Sequence, residues 1–157
     1  MNLAALALKF TGAKSLLAQC AVAASIHYGL PPRILWAIRL AEGGQAQMAH
    51  HNSNGSYDYG AFQINSIWLP KLRGYGIDRQ KLTTSACANA YAAGWILSLA
   101  WHKTGHGNLW YAVARYHSGT PSLGNAYAWR VYRIWIRLGG RVAGANNTPR
   151  LYAQNVR

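Results

Sequence analysis

At 157 residues the chain is long enough to bury one full core and short for two. About half of it is hydrophobic (51%) and only 12% is charged, which excludes a disordered segment. Sixteen Lys and Arg against three acidic residues give a net charge of +13, so the expected partner is anionic: nucleic acid, an acidic membrane surface, or an acidic polymer such as a cell wall.

The opening residues hold a short apolar run, Leu3 to Leu8, interrupted by Lys9 and Lys14 and preceded by no basic segment. Residues 1–19 therefore read as a degenerate export signal or an N-terminal extension. No run in the chain approaches the roughly eighteen apolar residues of a membrane span. A first helix is predicted from about Ser15 to Tyr28 and stops at Gly29. Pro31-Pro32 open a second, because proline is tolerated in a first turn, and Glu42-Gly43-Gly44 close it. His50 to Tyr59 is polar and carries no helical period, so it reads as a loop or a small hairpin. A short helix from about Asn65 to Leu72 and a turn at Gly74-Tyr75-Gly76 follow.

Thr84 to Lys103 is the longest periodic stretch, with Cys87, Tyr91, Trp95 and Leu99 four apart on one face. Another helix covers Leu109 to Tyr116. Ser122 is the expected cap of a last helix reaching Leu138, whose Arg130, Arg133 and Arg137 form a basic stripe read as solvated. Trp36, Trp95 and Trp135 are expected in the core, and 141–157 as a basic tail. The whole predicts an all-α protein with a single helical domain over 20–140.

Only three residues offer a carboxyl group: Glu42, Asp58 and Asp78. Glu42 falls at the last turn of an apolar helix, near the negative end of the macrodipole and beside desolvating side chains. Both effects favour the protonated form, which a general acid near neutral pH requires. Position alone leaves a solvated helix-end glutamate open as well. Asp58 reads either as a second carboxylate or as a loop residue holding its own turn; Asp78 has no catalytic context. Cys20 and Cys87 match no metal-ligand spacing and on arithmetic are either bridged or two buried thiols. His50-His51, and His102 with His106, have the only metal-like histidine spacings, but neither pair has an acidic or Cys ligand beside it. No metal and no cofactor is expected.

Three segments stand in a recognisable order: Ala37-Ile38-Arg39-Leu40-Ala41-Glu42-Gly43-Gly44, then Gly60-Ala61-Phe62-Gln63-Ile64-Asn65, then Arg115-Tyr116-His117-Ser118-Gly119. Together they resemble the family 1 lytic transglycosylases, the soluble-transglycosylase-like domain with a lysozyme-like fold and a substrate cleft. The small members that accompany type IV secretion, conjugation and pilus machines are the most similar. The resemblance runs from about Cys20 to Leu138. It implies an enzyme that cleaves the MurNAc-β-1,4-GlcNAc bond of peptidoglycan and leaves a 1,6-anhydro ring, with Glu42 as the catalytic acid.

It further implies that Gln63, Asn65, Tyr59, Tyr116 and His117 contact the glycan. Tyr57 and Tyr59 are rings placed to stack on sugars, and Tyr116 is expected to approach Glu42. His117 stands where the family has asparagine, and Gly43 where a serine often follows the glutamate. The resemblance also implies a Cys20–Cys87 bridge and action in the periplasm or outside the cell, on glycan strands, as a monomer, with no specific nucleic acid and with secretion or conjugation proteins as neighbours. Two rivals remain. One is a muramidase that adds water with Asp58 as second carboxylate. The other is a catalytically inactive, basic DNA-binding or scaffolding module using Arg130, Arg133 and Arg137.

Overall fold

A computed structural model describes residues 15–45, 47–104, 107–141 and 148–149. Most of the expected N-terminal signal, most of the basic tail, and His106 lie outside the described residues. In chain order the elements are α1 (Leu16–His27), α2 (Ile34–Glu42), β1 (Ala49–His51), β2 (Tyr57–Tyr59), β3 (Ile64–Asn65), α3 (Leu69–Leu72), α4 (Arg79–Thr84), α5 (Ala86–Leu99), α6 (Leu109–His117) and α7 (Pro121–Arg137). Tight 3-10 turns at Ser66–Trp68 and Arg73–Tyr75 flank α3, and a π-helical turn, Ala100–Thr104, continues α5. The fold is mostly helical, as expected. The polar segment after α2 makes the small hairpin, and Ile64–Asn65 beyond it adds a third strand, in an antiparallel sheet ordered β1-β2-β3.

Caps explain where several helices begin. Ser15, Asp78, Ser85 and Asn108 accept from the backbone N–H groups of Ala18, Lys81, Ala88 and Tyr111 at 3.3, 2.8, 3.1 and 3.1 Å. Asp78 thus has a structural task as the cap of α4, a helix whose single buried residue, Leu82, left no period to find. Ser85 separates α4 from α5, so the long stretch expected from Thr84 is two helices. The last helix starts at Pro121 rather than being capped by Ser122, with proline in the first turn and Thr120 as an N-cap that makes no side-chain bond. Pro31 and Pro32 precede α2, whose true N-cap is Arg33 in the left-handed region at φ 68°.

The core gathers Ile34, Leu35, Ala37 and Ile38 from α2, Trp110 and Val113 from α6, and Val131 and Trp135 from α7. α6 packs most extensively on α7 and α1 on α5. Trp110 meets Tyr132 and Trp135 edge-on at 5.1 and 5.6 Å, and the Trp135 indole N–H donates to Pro32 O at 2.9 Å. Trp36 and Trp95 are only half-buried, a correction to their expected place in the core. On α5 the fully buried face is Asn89, Ala90, Ala92, Ala93, Ile96 and Leu97, not the stripe through Tyr91 and Trp95. Cys20 and Cys87 form a disulfide from α1 to α5, Cα–Cα 4.9 Å. Closing a loop of sequence separation 67 is worth about 4 kcal/mol in the chain-entropy picture. No helix among the described residues is long and apolar enough to cross a membrane.

Candidate active site

The apolar face of α2 is buried, so its last turn delivers Glu42 from the core to the wall of a cleft of about 300 Å³. Gly43 ends the helix by donating to Arg39 O at 3.1 Å. The chain then runs so close to the 60–63 turn that a β-carbon on Gly44 would come within 2.6 Å of Gly60 O and 2.7 Å of Gln63 Nε2. Bare backbone here lets the end of α2 and that turn share one wall.

The hydroxyl of Tyr127 donates to Glu42 Oε1 at 2.6 Å, from the first half of α7. No donor among the described residues reaches Oε2. Burial pushes the Glu42 carboxyl above its ordinary value; the Tyr127 hydrogen bond and the Arg130 guanidinium pull it back, and Asp58 adds a smaller upward push. Burial and the neighbouring Glu42 raise Tyr127 well above the usual phenol range, so it stays a donor. Two groups face its ring: His117 stacks on it at 4.4 Å with planes 4° apart, and the Arg130 guanidinium lies 5.5 Å from its centroid. Burial and then Arg130 lower the His117 pKa, against an upward pull from Asp58, so the imidazole is neutral at pH 7.

The facing wall is the turn over 60–63, where Gly60 has φ 71° and Gln63 has φ 51°. Gln63 Nε2 donates to Gly60 O at 2.9 Å. Asn89, 1% exposed on α5, is the support behind the turn. Its Oδ1 accepts from Phe62 N, and its Nδ2 donates to Tyr59 O and Leu82 O, all at 2.9 Å. A β-carbon on Gly60 would strike Asn89 Nδ2 and Leu82 O, so the position demands glycine twice, for its φ and for this approach. From α6, the Tyr116 hydroxyl donates to Phe62 O at 2.8 Å. Burial, with Glu42 and Asp58 nearby, pushes Tyr116 well above the usual phenol range.

Across the sheet, Asp58 is clamped. Asn52 Nδ2 donates to its Oδ2 at 3.0 Å, and Asn65 Nδ2 to its Oδ1 at 2.8 Å. Both amides also donate to Ser56 Oγ at 3.0 Å, and Ser56 Oγ donates to Asn54 Oδ1 at 2.7 Å. The result is a polar wall whose Asn, Ser and Asp groups face the cleft, with Ile64, Trp68 and Ile96 as apolar lining.

Glu42, Asp58, Gln63, Asn65, Tyr116 and His117 all line this one cleft. Tyr59 does not: it is 3% exposed and belongs to the hydrophobic core. Successive strand residues point to opposite faces, so with Asp58 on the cleft its two neighbours turn away, and Tyr57 and Tyr59 stack on each other with planes 7° apart. Tyr116 holds the facing turn, and Tyr127 takes the hydrogen bond to Glu42. Tyr127 went unrecognised in the sequence, although it lies four and eight residues before the buried Val131 and Trp135, and Arg130 was read there only as part of the basic stripe. Among the described residues no group of three or more His, Cys, Asp or Glu could hold a metal.

The sequence pattern of the Transglycosylase SLT domain family matches residues 19–130. The chain is 32% identical to "Protein IpgF" of Shigella flexneri over 126 residues, 77% of this chain and 82% of that protein. It is 29% identical over 143 residues to "Invasion protein IagB" of Salmonella typhimurium, covering 88% of each. "X polypeptide" of Escherichia coli is 33% identical over 129 residues, 76% of this chain and 75% of that protein.

Proposed function

The chain belongs to the transglycosylase SLT domain family, the mostly helical, lysozyme-like lytic transglycosylases that act on peptidoglycan, and on that premise we propose that it cleaves the MurNAc-β-1,4-GlcNAc bond with Glu42 as its single catalytic residue. The observation that carries this is the asymmetry of the two cleft carboxyls. Glu42 is raised by burial and has one oxygen that no donor among the described residues reaches, whereas both oxygens of Asp58 are held by asparagine amides.

Protonated Glu42 gives its proton to the glycosidic oxygen as the C1–O bond breaks, and the N-acetyl group of the same MurNAc stabilises the electron-poor C1. The Glu42 carboxylate then takes the proton of the C6 hydroxyl, whose oxygen bonds to C1. A 1,6-anhydro ring forms, no water is added, and the acid is restored. Gln63, Asn65 and His117 line the path of the sugar and supply its polar contacts. A second reading, a muramidase, rests on Asp58 facing the same cleft; it would require Asp58 to leave one amide in order to direct a water.

In this reading the domain acting on glycan spans 20–140, preceded by a degenerate export signal or an N-terminal extension over 1–19 and followed by a basic tail over 141–157. The family's peptidoglycan substrate supports a place in the periplasm or outside the cell, and the invasion-protein name of the Salmonella relative supports a role in which the chain opens the wall for a secretion, conjugation or pilus apparatus. The net charge of +13 suits a polymer carrying free peptide carboxylates. Mass spectrometry of the soluble products from purified peptidoglycan tests the assignment. Muropeptides ending in an anhydro ring from wild type, and none from Glu42→Gln, are expected; reducing-end products would select the muramidase, and turnover by Glu42→Gln would refute both.

A further inference from the structure

Trp68 lines the cleft, and the aromatic surface does not stop there. Its ring meets Trp95 of α5 edge-on at 5.8 Å, and Trp95 meets Tyr75 at 5.7 Å. The two tryptophans are half-buried, whereas Tyr75 is 67% exposed and Ile67 beside Trp68 is 70% exposed. Lys71 places its Nζ 5.5 Å over the Trp68 ring. Core packing accounts for the inner edge of this row but not for Tyr75, which leaves most of its ring in water on a chain whose surface is otherwise strongly basic.

We infer that Trp68, Trp95 and Tyr75 form a shelf that continues the cleft and carries the sugar rings of the glycan strand beyond the scissile bond. The inference rests on the proposed glycan substrate and extends it to residues that the sequence placed in a short helix, in the core and in a turn. A strand lying across Glu42 must leave the cleft, and Trp68 belongs to both the cleft and the row. Pyranose rings present apolar C–H faces, for which aromatic rings are the matching surface, at little entropic cost because Trp and Tyr have few rotatable bonds. Lys71 adds a cation next to the first ring, where the carboxylates of the stem peptides would pass.

Tyr75→Ala is the direct test, because a side chain so exposed carries little of the fold; Tyr75→Phe, which keeps the ring, is its companion. The preference in kcat/KM for long glycan strands over a tetrasaccharide is read for each. In a Glu42→Gln background, pelleting with insoluble peptidoglycan is read as well. We expect Tyr75→Ala to lose about tenfold in both, roughly 1.4 kcal/mol, and Tyr75→Phe to keep most of each. An unchanged preference together with unchanged pelleting would overturn the shelf and leave the row as a surface for another protein. Should the wild type release no product, the catalytic assignment falls while the pelleting comparison still decides the shelf; failure of the Glu42→Gln parent to pellet overturns it too.

Discussion

Replacing Tyr127 by Phe removes one hydroxyl and leaves the ring that His117 stacks on and Arg130 faces. The bond it deletes, 2.6 Å from hydroxyl to Glu42 Oε1, has the length of a charge-assisted contact. Such bonds are worth about 1.5–3 kcal/mol. Tyr127 is 3% exposed, but its acceptor opens on a cleft where water can replace the lost donor, so the lower end applies. A loss of about 1.5 kcal/mol lowers the melting temperature of a chain this size by roughly 3–6 °C.

The sign with pH follows from linkage. Burial raises the folded-state pKa of Glu42, so its contribution to stability is full below the unfolded value and is lost as pH rises through the folded one. The Tyr127 bond opposes that loss, so its deletion moves the pKa further up. The variant should therefore be destabilised at neutral pH and approach wild type below the carboxyl range. Its alkaline activity limb should move upward, because the acid stays protonated longer, while kcat on the plateau falls about tenfold because the proton is held more tightly. Thermal melts across pH, with initial rates of anhydro-muropeptide release, measure both. A limb that stays put or moves down, with stability unchanged at neutral pH, would refute the role given to this bond.

Two further outcomes follow from the geometry. Asn89→Ala strips three buried backbone groups of their partners at about 1–3 kcal/mol each, so we expect a loss of at least about 3 kcal/mol in denaturant unfolding; a change below about 1 kcal/mol would mean that the turn over 60–63 does not depend on Asn89. Asp58→Asn replaces one acceptor with a donor facing Asn52 or Asn65 and should lower stability by about 1 kcal/mol while the products still end in an anhydro ring; a switch in product chemistry would place Asp58 in the reaction.

Glu42 was legible as the candidate acid because scarcity singled it out, one glutamate at a helix end marked by two glycines; position alone left a solvated residue open, and the resemblance carried the assignment. Its neighbours were not. Tyr127 lies 85 residues from Glu42 in the chain, and its helix offered a stripe of arginines and a stripe of apolar residues that each had an ordinary explanation. Tyr59 was misplaced for a local reason. The resemblance put Asp58 and Tyr59 both at the cleft, in a segment read as a loop or a small hairpin, whereas the period of 2 of the strand turns them to opposite faces. On α5 the sequence is apolar all round, so the four-residue spacing of Tyr91 and Trp95 did not determine which side is buried. The deciding surface is its small residues: at Gly94 a β-carbon would come within 2.7 Å of the Tyr28 ring. The disulfide was carried by the resemblance, since spacing alone left free thiols equally open.

On the proposed mechanism Glu42 serves first as acid and then as base, and such a residue is badly served by any single environment. Burial alone would hold the Glu42 proton too tightly to give it up at bond cleavage, and full solvation would leave it ionised before substrate arrives. The cleft sets these against each other. α2 brings the carboxyl into a desolvated wall, and α7 answers with a hydroxyl and a guanidinium one turn apart, at Tyr127 and Arg130. Because Tyr127 is itself driven far from ionising, it never competes for negative charge, and because His117 is held neutral it adds no second cation to over-stabilise the carboxylate. The histidine in place of the family's asparagine is thus compatible with the chemistry on electrostatic grounds. Its stacking at 4.4 Å keeps the Tyr127 ring in place without taking part in the hydrogen bond.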